Sequence, residues 1–198
     1  MEALSLNEIR SSLKLLKEPL ADYNANSLSK NQGITAMGAL KILKRLEKQN
    51  LLRSKKMGKA VFYKPNLADD YPKRFFELLL EKQAEESSPR VKKWVRELRK
   101  LSDKAQAAIM FGSVLEKQDH GDVDVLLILE PSQNDVVEKA LEELNQLNVK
   151  KIHAVKQTKE DLAQNIRKGD RVVLEALGKG IIPFGYEKIV EAIKDAAL

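Results

Sequence analysis

The chain has 198 residues, enough for one large domain or two of roughly 100 residues each. Its 43% hydrophobic content can build buried cores, and with no cysteine it has neither disulfides nor thiolate metal sites. No run reaches the ~18 apolar residues that span a bilayer, and residues 1–16 carry no apolar block of signal-peptide type, so a cytoplasmic protein with no membrane partner is expected. The formal net charge of +6 is unevenly spread. Residues 1–66 hold 13 Lys/Arg against 5 Asp/Glu, and residues 67–198 hold 22 against 24. The basic excess therefore belongs to the first third, which is the composition of a polyanion-binding module followed by a near-neutral one.

In chain order, Ser5-Leu6-Asn7-Glu8 reads as a capping box that opens a helix with Ile9, Leu13 and Leu16 on one face. Pro19 ends it. A short helix is expected around Asn26–Asn31, and Gly33 turns the chain into a third helix over about Thr35–Gln49. There Met37, Leu40, Leu43 and Leu46 are read as the buried stripe, while Lys41, Lys44, Arg45 and Lys48 point elsewhere. Leu51–Lys55 and Ala60–Lys64 read as two strands joined by a turn at Met57-Gly58-Lys59.

Helix, short helix, turn, basic helix and basic hairpin is the order of a winged helix-turn-helix. The stretches 33–40 and 46–52 resemble the recognition helix and wing entry of prokaryotic winged-helix regulators. That resemblance implies a domain over residues 1–66 that binds double-stranded DNA and regulates transcription. Thr35, Lys41, Lys44, Arg45 and Lys48 on the helix, and Arg53, Lys55, Lys56 and Lys59 on the wing, are the candidate contacts.

Residues 67–104 read as a helical linker. Phe75, Phe76, Leu78, Leu79 and Leu80 mark a helix after Pro72. Ser88 and Pro89 then cap a second one carrying Val91, Trp94, Val95, Leu98 and Leu101. Faces this apolar pack onto the flanking domains or form the seam of a homodimer.

From residue 105 onward strands and helices alternate. Strands are expected at Ala105–Phe111, Asp122–Leu129 and Lys151–Lys156, with a short fourth at Gly180–Phe184. Helices are expected at Asn134–Leu147, around Thr158–Arg167 and Gly169–Leu177, with Gly178 as C-terminal cap, and at Glu187–Ala196. The fold class is α+β: a winged helix, a helical linker, and a C-terminal α/β domain (105–198) with a small mixed sheet.

The chemistry concentrates in Ile109-Met110-Phe111-Gly112-Ser113 and, after eight intervening residues, Asp122-Val123-Asp124. Alternation along a strand puts Asp122 and Asp124 on one face and Val123 and Val125 on the other. Paired carboxylates repel unless a cation sits between them, and a divalent metal is the usual one. Backbone N–H groups at the Gly112 turn and the Ser113 hydroxyl suit a phosphate.

A Gly-Ser turn with an Asp-x-Asp strand resembles the minimal nucleotidyltransferases of the DNA polymerase β superfamily, over roughly residues 105–198. The resemblance implies Mg²⁺ at Asp122 and Asp124, and the phosphates of ATP or another nucleoside triphosphate at Gly112 and Ser113. It further implies transfer of a nucleoside monophosphate, with pyrophosphate leaving. Similar small domains serve as antitoxins that modify a partner toxin, which makes a protein hydroxyl one candidate acceptor. Two departures stand out. The basic residue expected soon after Gly-Ser is replaced by Val114-Leu115-Glu116, with Lys117 the nearest cation. The third carboxylate of active members belongs on the next strand, yet Lys151–Lys156 holds no acid. His153 faces away from Ile152 and Ala154 and is the candidate substitute ligand or base. His120, just before Asp122, is a weaker phosphate candidate. Two functional readings remain open: a nucleotidyltransferase directed by a DNA-binding domain, or a regulator whose degenerate domain senses nucleotide. A third gives the C-terminal domain a role in dimerisation alone.

Overall fold

The computed structural model describes residues 4–116 and 121–197. The chain is α+β and divides into two compact units, one reaching to Leu79 and the other spanning Leu80–Ala196.

In the first unit, α1 (Leu6–Lys17) begins at the capping box read from the sequence. Glu8 receives the Ser5 N–H at 2.7 Å and donates its own N–H to Ser5 Oγ at 3.3 Å. Its carboxylate is buried and also meets Arg45 Nη1 at 3.0 Å, so one side chain closes a helix end and ties α1 to α3. α2 (Ala25–Gln32) starts at Asn24 and ends at Gly33, whose φ of 66° lies in the left-handed region. α3 (Ala36–Lys48) is capped by the Thr35 hydroxyl, which accepts the Gly38 N–H at 3.0 Å.

The buried face of α3 is Ala39, Leu43 and Leu46. Met37 was expected in that stripe but is 62% exposed, because Ala39, set differently around the helix, takes the inward position. Each buried leucine there is worth about 1.5–3 kcal/mol. β1 (Leu52–Met57) and β2 (Ala60–Pro65) form an antiparallel hairpin. Tyr63 N–H donates to Tyr23 O at 2.8 Å, adding an isolated bridge beside β2 that the sequence pattern did not signal.

α4 (Asp70–Glu85) starts before Pro72 rather than after it. Proline is tolerated there because the first four helical N–H groups have no intrahelical acceptor anyway. α5 (Pro89–Arg99) is capped by Ser88 with Pro89 in its first turn.

The second unit is built on a mixed sheet ordered β3-β4-β5. β3 (Ala107–Phe111) runs antiparallel to β4 (Val123–Ile128), and β5 (Ile152–Gln157) runs parallel to β4. A short α6 (Ser113–Glu116) follows β3. A 3-10 turn (Pro131–Gln133) and α7 (Asn134–Leu147) cross from β4 to β5. One sheet face, with Ala108, Met110, Val123, Val125, Leu127 and Ile152, shares a core with Val91, Trp94, Val95 and Leu98 of α5 and Val137, Leu141 and Leu144 of α7. The apolar face of α5 is thus buried within this unit. α8 (Lys159–Lys168), α9 (Arg171–Lys179) and α10 (Tyr186–Ala196) complete it, α9 and α10 packing beside β3.

Two expectations for this unit are corrected. Gly178 lies inside α9, which runs on to Lys179 and ends at Gly180. A Cβ on Gly180 would stand 2.2 Å from Ala176 O and 2.9 Å from Met110 O, so glycine permits close backbone approach to β3. The expected strand Gly180–Phe184 reduces to a single bridge between Met110 and Ile181. Pro183 supplies no N–H with which to extend a ladder.

Candidate functional site

Pairing across the sheet sets Phe111 opposite Asp124, and Asp124 opposite His153. β3 ends at this row, while β4 and β5 begin beside it. The Gly112 turn, the two aspartates and His153 therefore meet at one end of the sheet. Asp122 occupies a bend just before β4, and the alternation read from the sequence holds: Asp122 is exposed, Val123 and Val125 are buried, and Asp124 lies between these extremes.

Gly112 has φ 78°, and a Cβ there would stand 2.5 Å from Asp124 Oδ2. Glycine is required twice over, by backbone conformation and by the carboxylate packed against it. Gly112→Ala is accordingly expected to destabilise the fold by about 1–2 kcal/mol through left-handed strain, and to displace the Asp124 carboxylate. Thermal unfolding checks the first effect and Mg²⁺-dependent nucleotide binding the second. An alanine variant with unchanged stability and binding would contradict both.

Asp122 is held by two neighbours. Its Oδ1 accepts the Lys151 N–H at 3.0 Å, and its Oδ2 lies 2.9 Å from His153 Nε2. The Lys151 N–H, followed by the hydrogen bond to His153, holds the Asp122 carboxyl below the usual carboxylate range. A depressed carboxyl favours the folded state above its unfolded value, and that contribution fades as pH falls through the lowered one. His153 is 64% exposed at its side chain, free to face a ligand while touching Asp122.

Ser113, half-buried, is the first residue of α6 and directly follows the Gly112 turn. Lys117 and His120 lie outside the described residues. β5 contributes no acid to the row. Asp161 is spent on the start of α8, where its carboxylate accepts the Thr158 N–H at 3.1 Å and its own N–H donates to Thr158 Oγ1 at 3.0 Å.

Among the described residues, no three His, Asp or Glu side chains form a ready-made metal cluster. The candidate donors at the row are the two carboxylates of Asp122 and Asp124, with the His153 imidazole bonded to Asp122. Such a set fits a hard divalent ion that arrives with phosphate oxygens, since magnesium characteristically takes one or two protein carboxylates and completes its shell from substrate and water. It does not fit a closed structural site.

The first unit presents a separate charged surface. Lys41, Lys44 and Lys48 are exposed on α3, as are Arg53, Lys55, Lys56 and Lys59 on the hairpin. Two of the residues read as candidate contacts also have local partners: the Thr35 hydroxyl caps α3, and Arg45 pairs with Glu8. Lys64 donates to Pro19 O at 3.1 Å and lies 3.3 Å from Asp22. Along the hairpin, Arg53 faces Lys64 and Lys55 faces Phe62 in the pairing register. Phe62 was not singled out from the sequence; its place beside Lys55 follows from the hairpin register.

Compared with protein-family models, curated proteins and solved structures, the chain shows no match in any of the three.

Proposed function

We propose that this chain is a DNA-binding protein whose second unit binds a magnesium–nucleoside triphosphate and transfers the nucleoside monophosphate to an acceptor hydroxyl. The observation that carries the nucleotide half is the row across the sheet, in which Gly112, Asp122, Asp124 and His153 converge. In this reading the Gly112–Ser113 turn holds phosphate oxygens. Asp122 and Asp124 would receive the divalent ion, which would neutralise triphosphate charge. His153, hydrogen-bonded to Asp122, takes the acceptor proton in place of the carboxylate that β5 lacks. The DNA half rests on the exposed lysines of α3 and the basic hairpin.

A second reading is favoured by one observation, the acid-free β5. There the same site senses a nucleotide and adjusts a transcription regulator without turnover. The nucleotide half common to both readings is tested by titrating ATP, CTP, GTP and UTP, with and without Mg²⁺, against wild type and the Asp122→Ala/Asp124→Ala double variant. Metal-dependent binding that vanishes in the double variant is the expected result. Failure of wild type to bind any triphosphate sinks both readings.

A further inference from the structure

α3 buries one face and displays another, and the displayed face has an unexpected member. At about 100° per residue, Met37, Lys41, Lys44 and Lys48 fall within one narrow stripe, roughly half a turn from Ala39, Leu43 and Leu46. All four are exposed, and Met37 stands at the N-terminal end of the stripe at 62% exposure. The stripe is about 16 Å long, a length that a major groove about 12 Å wide accommodates along its course. Its three ammonium groups are point charges suited to phosphates, which position a protein on DNA but report no sequence. Met37 has no hydrogen-bond donor. Among the base edges of the major groove, the C5-methyl of thymine is the feature that an apolar side chain can recognise. The N-terminal part of a groove-bound helix is also the part that comes closest to those edges.

We infer that Met37 is a base-reading residue of α3, selecting thymine through contact with its C5-methyl, while Lys41, Lys44 and Lys48 hold the flanking phosphates. The inference rests on the DNA-binding reading and deepens it by naming a specificity determinant. Met37 makes no contribution to the buried face, so truncating it leaves the fold intact.

The test begins with selection of a preferred site from a randomised 20-base-pair duplex library by the wild-type chain. Each thymine of that site is then replaced in turn by uracil, which pairs identically and lacks only the methyl group. One such replacement is expected to weaken wild-type binding about fourfold, the effect of one buried methyl-sized group, and to leave Met37→Ala binding unchanged. Lys44→Ala, by contrast, should weaken thymine and uracil duplexes equally. If no uracil replacement weakens wild type, or if Met37→Ala keeps the full thymine preference, the inference is overturned while DNA binding stands. If no duplex is retained at any salt, the DNA-binding reading itself falls.

Discussion

Raising monovalent salt from 50 to 200 mM is expected to weaken duplex binding by roughly 10³-fold or more. On α3 and the hairpin of the first unit the exposed cations are Lys41, Lys44, Lys48, Arg53, Lys55, Lys56 and Lys59. Each phosphate neutralised by one of them releases condensed counterions, so log affinity falls with log salt at about 0.9 per contact. Roughly five to seven contacts then give the expected loss. Neutralising Lys44 should reduce the slope by about one while affecting all sequences alike. Arg45 is expected to behave differently. Its guanidinium is committed to the buried Glu8, so Arg45→Ala should cost stability, by leaving a buried carboxylate without its cation, more than it changes the salt slope. Fluorescence anisotropy on a labelled duplex across that salt range reads both quantities. An affinity indifferent to salt would rule out a phosphate-binding surface on this unit.

The second large effect concerns His153. His153→Ala is expected to lower nucleotidyl transfer by about 10²–10⁴-fold, the usual contribution of a positioned general base, while magnesium-dependent triphosphate binding persists. Binding persists because Asp122 keeps the Lys151 N–H, the largest of the influences that hold its carboxyl low, and because Asp124 remains on β4 beside the Gly112 turn. Radiolabel transfer from each α-labelled triphosphate, measured beside equilibrium binding, separates the two quantities. Equal loss of binding and transfer would make His153 a ligand-holding residue. Transfer undiminished in the variant would remove it from the chemistry. Absence of transfer in wild type, with binding intact, selects the nucleotide-sensing reading.

Much of the candidate site was legible in the sequence, for a local reason. Gly112-Ser113 and Asp122-Val123-Asp124 each act through the backbone geometry of a few consecutive residues: a left-handed turn, and alternation along a strand. The convergence of the two segments with His153 was not local. It depends on antiparallel pairing of β3 with β4 and parallel pairing of β4 with β5, which bring residues 111, 124 and 153 into one row. The 2.9 Å contact between His153 and Asp122 follows from that register.

The same division runs through the fold. Helix starts at Ser5, Thr35, Ser88 and Thr158 follow from side chains that satisfy backbone groups three residues on, so sequence alone determined them. Tertiary structure decided the exposure of Met37, the turning of Arg45 to Glu8, the burial of α5 against the sheet, and the reduction of residues 180–184 to one bridge. Periodicity says that a helix has an apolar face. Which residues at the edge of that face end up covered is settled by the shape and charge of partners tens of residues away, and no window of neighbouring residues contains them.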